Sequence, residues 1–182
     1  MYRFVKVFTV VSLVVVSTFA FAVFQSSHVA SAQTDTKALA QAWVDAQNAA
    51  LKSGDATAVL ALYSPDYTDE SVGTGAAALD AVKQNLAVLS KAFPDAKPEV
   101  QEILVSGDEA AVYTLINGTN TGPIGPYPAT GKAFSKVKSV DILTFKDGKV
   151  TKDVSVTDTS ILFQQIGWTI APPPAPAATA AQ

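Results

Sequence analysis

Gly118-Thr119-Asn120-Thr121-Gly122-Pro123, Pro128-Ala129-Thr130-Gly131-Lys132 and Phe145-Lys146-Asp147-Gly148-Lys149-Val150 follow one another within the span Gly107 to Gly167. A loop of glycines, prolines and threonines there separates strand-like runs, and the span closes on Asp158 and Gln164-Gln165-Ile166-Gly167. Alternating patterns predict strands over Glu99 to Ser106, Ala110 to Thr119, Ala133 to Lys146 and Lys149 to Asp158, with turns at Gly107-Asp108-Glu109 and Asp147-Gly148. Upstream the period changes. Ala38, Ala42, Trp43, Ala46 and Ala50 predict a helix over Thr36 to Lys52, stopped by Ser53-Gly54-Asp55, which caps a second, short helix through Tyr63. A short strand follows at Tyr67 to Ser71. A third helix runs over Ala76 to Phe93, with Leu79, Val82, Leu86 and Leu89 on one face, and Pro94 ends it. Helices followed by an antiparallel meander predict an α+β domain whose three N-terminal helices cover one face of a curved sheet.

The ends of the chain stand apart from this domain. Arg3 and Lys6 precede an apolar run from Val7 to Phe24, and Ala30-Ser31-Ala32 is a small-residue cleavage site. This is the pattern of a secretory signal peptide over residues 1–32, cut after Ala32, and it predicts a secreted or periplasmic protein. The competing reading is an uncleaved anchor, because the run approaches the roughly 18 to 20 residues that span a bilayer. Ala171 to Gln182 is rich in Pro and Ala, without charge or apolar periodicity, and reads as a disordered tail. Residues 33–170 form the domain.

Cleavage after Ala32 leaves 150 of the 182 residues, and with the leader go Arg3, His28 and Met1, each the only one of its kind. Cys is absent throughout. A Ser-His-Asp triad, a Cys nucleophile, a His-ligated zinc and an arginine clamp for phosphate are therefore excluded within one mature chain. Losing Arg3 and Lys6 also moves the net charge from −3 to −5, since eleven basic residues then face sixteen acidic ones. That balance makes nucleic acid a poor partner. Without disulfides, stability rests on the core itself.

Strand parity locates candidate site residues. On Ala133 to Lys146 one face carries Ala133, Ser135, Val137, Ser139, Asp141, Leu143 and Phe145, and the other carries Lys132, Phe134, Lys136, Lys138, Val140, Ile142 and Thr144. Asp141 is the single charge on a small or apolar face. It reads either as a carboxylate on a pocket wall, made an acid or base by desolvation, or as an acid near an edge paired with a lysine. On the last strand Asp153, Ser155 and Thr157 share one parity, while Val150, Val154, Val156 and Asp158 share the other. Asp158 reads as the cap of a short helix from about Thr159, or as a pocket residue if a bulge shifts the parity. Trp43, Tyr63, Tyr67, Phe93, Tyr113 and Trp168 are core candidates, among which a tyrosine hydroxyl is suited to orienting a substrate carbonyl. The Thr119 to Gly131 loop is either a lid over a pocket or a plain surface connection.

The ordered set of motifs resembles the SnoaL-like polyketide cyclase (ester cyclase) family of the nuclear transport factor 2-like superfamily. Asn48, Gly54-Asp55, Tyr63-Ser64-Pro65-Asp66-Tyr67, Gly75, Phe93-Pro94-Asp95 and Val105-Ser106-Gly107-Asp108 extend the resemblance across nearly the whole domain. It implies a cone-shaped fold with a pocket between sheet and helices, cofactor-free acid/base chemistry on a small apolar molecule, and a homodimer through the sheet. It also exposes departures. Cyclases of the family commonly carry His-x-Asp on the last strand, where this chain has Asp153-Val154-Ser155, and often a histidine where this chain has Thr68-Asp69-Glu70.

The catalytic candidates are therefore Asp141, then Asp153. Tyr63, Tyr67, Trp43 and Ser155 are the candidates for holding the substrate, and no metal or cofactor is called for. Two functions remain open at this level: an ester cyclase-type or isomerase-type enzyme acting on a carbonyl-bearing small molecule, and a protein of the same fold that binds such a molecule without converting it.

Overall fold

A computed structural model of the chain describes residues 35–169, so the expected signal peptide and Pro/Ala-rich tail lie outside the described residues. Helix α1 (residues 35–53) buries Ala40, Trp43, Val44, Ala50 and Leu51. Gly54 stops it with φ +76°, its N–H returning to the Ala50 carbonyl at 2.7 Å. This left-handed angle is costly for any residue with a Cβ. The Asp55 carboxylate then accepts from the Thr57 N–H (2.9 Å) and hydroxyl (2.6 Å), starting the single turn α2 (Thr57–Leu60).

Here the structure departs from the helical reading through Tyr63. The chain leaves α2 after one turn because the Leu62 carbonyl accepts from Val150 N–H, which draws the segment onto the sheet. Strand β1 (Tyr63–Asp69) thus begins four residues before the expected strand, and β2 (Gly73–Thr74) turns back on it. Helix α3 (Ala76–Ala92) follows, burying Ala78, Leu86 and Ala92. Strands β3 (Lys97–Ser106), β4 (Glu109–Thr119), β5 (Ala133–Lys146) and β6 (Lys149–Thr157) lead to α4 (Thr159–Ile166).

Among the described residues the six strands form one sheet in the order β2-β1-β6-β5-β4-β3. The β3 to β6 run is the expected antiparallel meander. Asp147 and Gly148 join β5 to β6 with φ of 51° and 73°, the mirror-image turn that suits a two-residue hairpin. The β1–β6 join is parallel, which corrects the all-antiparallel expectation. Local alternation carries no information about the direction of a partner some eighty residues away in the chain. The helix count also differs slightly from three, since α4 packs on β5.

A bulge breaks the simple parity of β5. Lys136 has φ 55°, its N–H is taken by the Asn117 side chain at 3.0 Å, and the β4–β5 register shifts between Ile116 and Gly118. Phe134 therefore turns inward against Phe93, ring centroids 5.2 Å apart, instead of joining the lysine face.

Two cores result. The larger joins Trp43, Leu51, Val59 and Leu86 to Val112, Leu143, Phe145 and Val150 of the sheet. The smaller gathers Phe93, Phe134, Val137, Ile166 and Trp168 beneath α4. Asp158 caps α4, accepting from Ile161 N–H at 3.1 Å.

The long loop belongs to the smaller core and is not a lid. Fully buried Asn120 donates to the Gly122 carbonyl at 2.8 Å and accepts from Thr130 N–H at 2.8 Å. Gly122 packs so closely on α3 that a Cβ there would collide with the Lys91 carbonyl oxygen. Tyr127 stacks on Trp168 at 4.9 Å.

Candidate active site

Antiparallel pairing of β5 with β6 sets Leu143 opposite Asp153, Asp141 opposite Ser155 and Ser139 opposite Thr157, while β4 sets Val112 opposite Asp141 and Thr114 opposite Ser139. Since alternate residues share a face, all of these look toward the helices. Between them and α1 and α3 lies a cavity of about 580 Å³, reaching the exposed Glu70 and Ser71 of the β1–β2 turn. Trp43, Tyr63, Tyr67, Asp141, Asp153 and Ser155 all line it. The structure thus brings every candidate side chain of the sequence reading to one place.

The acids are not equivalent. Asp153 Oδ2 accepts from the Tyr63 hydroxyl at 3.5 Å, and that hydroxyl oxygen is itself occupied by the Trp43 indole N–H at 3.0 Å. Asp153 Oδ1 is shielded from solvent and has no hydrogen-bond partner. Burial, reinforced by the nearby charge of Asp141, pushes the Asp153 carboxyl up to about 7, against a smaller lowering by Tyr63. Asp141 is also raised by burial, and its hydrogen bond with Ser155 counters part of that rise. Among the described residues the ion pairs are Lys97–Glu99 and Lys152–Glu70, so Asp141 is not the lysine-paired edge acid of the alternative reading.

The aromatics form one wall. Tyr63 and Tyr67 meet edge to face with centroids 4.6 Å apart, and both phenols are raised, chiefly by burial and next by the charge of Asp153. Phe93 and Trp168 are buried in the smaller core, and Tyr113 points to the other side of the sheet, opposite Val140.

Several polar residues of the cavity escaped the sequence reading. Thr114, Ser139 and Thr157 form a hydroxyl row across β4, β5 and β6, with the last two 2.8 Å apart. Their shared parity with Asp141 and Ser155 was the available signal. Asn48 entered only as a motif residue. It lies on the α1 face that buries Val44 and Leu51, and a polar side chain on an apolar stripe marks a site. Its amide donates to the Pro98 carbonyl at 3.5 Å, and its Oδ1 is buried without a partner. Among the described residues no group of three or more acidic side chains is placed to hold a metal ion.

Residues 40–166 match the family model of SnoaL-like polyketide cyclases. This chain belongs to that family. Solved structures agree. AclR from Streptomyces galilaeus, assigned as a hydroxylase, is 27% identical, with a TM-score of 0.60 over 74% of this chain and 97% of its own. A protein of Jannaschia sp. CCS1 assigned to the SnoaL-like polyketide cyclases is 22% identical, with a TM-score of 0.64 over 78% and 96%. A Catenulispora acidiphila protein of ketosteroid isomerase-like fold is 18% identical, with a TM-score of 0.54 over 72% and 93%. No protein of curated function matches the chain. Membership of the SnoaL-like family makes the cavity between sheet and helices the place to look for chemistry, and it leaves the chemistry to the residues found there.

Proposed function

We propose that this SnoaL-like protein is a cofactor-independent cyclase or isomerase acting on a small apolar molecule with an activated carbonyl, by proton transfer through Asp153 with Asp141 as its charged neighbour. The observation that carries this reading is the pair of inward-facing carboxylates on adjacent strands, one of which keeps an unbonded oxygen within a cavity of about 580 Å³. A carboxyl held near 7 exchanges protons with a weakly acidic carbon far better than one near 4 at neutral pH. Tyr67, whose phenol stays protonated, supplies a hydrogen-bond donor for the carbonyl oxygen, while Tyr63 gives its one proton to Asp153. Ser155 holds Asp141, which meets it directly across the strand pair, so a carboxylate is kept at this point of the cavity although the last strand itself carries serine there.

The test is deuterium exchange at the activated carbon of β-keto esters in heavy water, followed by NMR. The unmodified protein accelerates exchange; Asp153→Asn lowers the rate by about 10²- to 10⁴-fold while ligand binding persists. Absence of acceleration with every ester and ketone tried favours the second reading, a non-catalytic binding protein, which the replacement of His-x-Asp by Asp153-Val154-Ser155 supports.

The same proposal covers export and assembly. The leader-like residues 1–32 support a secreted or periplasmic protein. A homodimer through the outer sheet face is supported by Leu104, Ile142 and Val156, which are 60%, 43% and 68% exposed there.

A further inference from the structure

The cavity is acidic without relief. Its lining includes Asp69, Glu70, Asp141 and Asp153 and contains no lysine, arginine or histidine. Lys152 is engaged with Glu70 at 2.6 Å, and neither ion pair among the described residues involves Asp69, Asp141 or Asp153. Both Asp141 and Asp69 act on Asp153 as like charges. Unpaired carboxylates in a partly buried site repel one another and repel any anionic ligand, because the low dielectric of the interior strengthens both effects.

Two further observations concern the ligand itself. Asp153 Oδ1 and Asn48 Oδ1 are buried acceptors without donors, and a buried acceptor left unpaired has given up its water without a replacement. Both residues line this cavity, so an occupant that brings donors is favoured over one that brings only acceptors. The rings of Trp43, Tyr63 and Tyr67 line it as well, and aromatic rings attract cations through their quadrupole.

We infer that the ligand of this cavity is an apolar molecule bearing a protonated amine, and that molecules bearing a carboxylate are turned away. A donor-rich ammonium group satisfies the orphan acceptors, relieves the repulsion among Asp69, Asp141 and Asp153, and is compatible with the aromatic wall. This inference rests on the same cavity being the substrate site and adds to it the charge of the substrate.

Isothermal titration of the purified protein with three matched probes, phenethylamine, phenethyl alcohol and 3-phenylpropionate, tests it without reference to turnover. The amine binds about tenfold or more tightly than the alcohol, and the carboxylate gives no measurable binding. Asp141→Asn and Asp153→Asn each shrink the preference for amine over alcohol. An alcohol as tight as the amine, measurable binding of the carboxylate, or no binding of any probe overturns the inference, and these outcomes need no variant to fold. A protein that prefers the amine yet exchanges no carbonyl-adjacent protons refutes the proposed chemistry alone. One that exchanges protons without preferring the amine refutes this inference alone.

Discussion

The Tyr63 hydroxyl donates to Asp153 Oδ2 across 3.5 Å while its own oxygen accepts the Trp43 indole N–H at 3.0 Å. The indole has no other role to play toward a hydroxyl than donor, so it orients the phenol with its proton toward the acid. Trp43 thereby acts on Asp153 through Tyr63, and the three residues come from α1, β1 and β6. Tyr63→Phe removes the one contact that lowers the Asp153 carboxyl, so its midpoint moves above about 7. Carboxyl carbon NMR titration checks this; a midpoint that stays or falls counts against the relay.

A raised carboxyl has a defined effect on stability. The groups acting on Asp153 are Asp141 of β5 and Asp69, Tyr63 and Tyr67 of β1. Its native value of about 7 exceeds the ordinary 3.8, so the folded state holds the proton over a window in which the unfolded state has lost it. The contribution to stability is complete below the unfolded value and is lost as pH rises through that window toward the folded one. Asp153→Asn, which cannot ionise, is therefore more stable than the unmodified protein at about pH 8, by a few degrees in Tm, with the advantage vanishing at about pH 4. Thermal melts at the two pH values measure the difference. An advantage that grows on acidification contradicts the assignment.

Asn120 anchors the long loop away from the cavity. Asn120→Ala strips Thr130 N–H and the Gly122 carbonyl of their partners, at roughly 1–3 kcal/mol for each buried group left unpaired. Denaturant unfolding should show the loss, while affinity for probes of the cavity stays unchanged because the loop does not line it. A changed affinity would restore the lid reading.

Val156 and Leu104 give the assembly proposal its test. Substituting Val156 with Lys on the outer sheet face leaves the core intact and converts the proposed dimer to monomer in sedimentation. A monomer before substitution ends the proposal.

Export is checked by intact mass. Exported protein begins at Gln33, and Ala32→Glu keeps the precursor at the membrane. A full-length, membrane-retained species in the unmodified case supports the anchor instead.

Much of this molecule is written in local pattern. The α+β order, the Asp147-Gly148 hairpin, the Asp158 cap and the shared face of Asp153 and Ser155 follow from helix and strand periods and from turn chemistry, each acting within a few residues. Family motifs spread over the domain added the fold as a whole. Composition alone removed His, Cys and Arg from residues 33–182 and left carboxylates, phenols and lysines as the ionisable side chains. Other features depend on contacts between distant segments. The parallel β1–β6 join, the early release of the chain from α2 and the inward turn of Phe134 at the Lys136 bulge arise from hydrogen bonds to partners far along the chain. The division of labour between the acids arises the same way. Parity put Asp141 on a small or apolar face and Asp153 on one face with Ser155, but only packing turns both faces inward and shows that Asp153 has Tyr63 beside it, Asp141 and Asp69 within its field and one oxygen unpaired, because desolvation and charge repulsion depend on what surrounds a group and not on its neighbours in sequence.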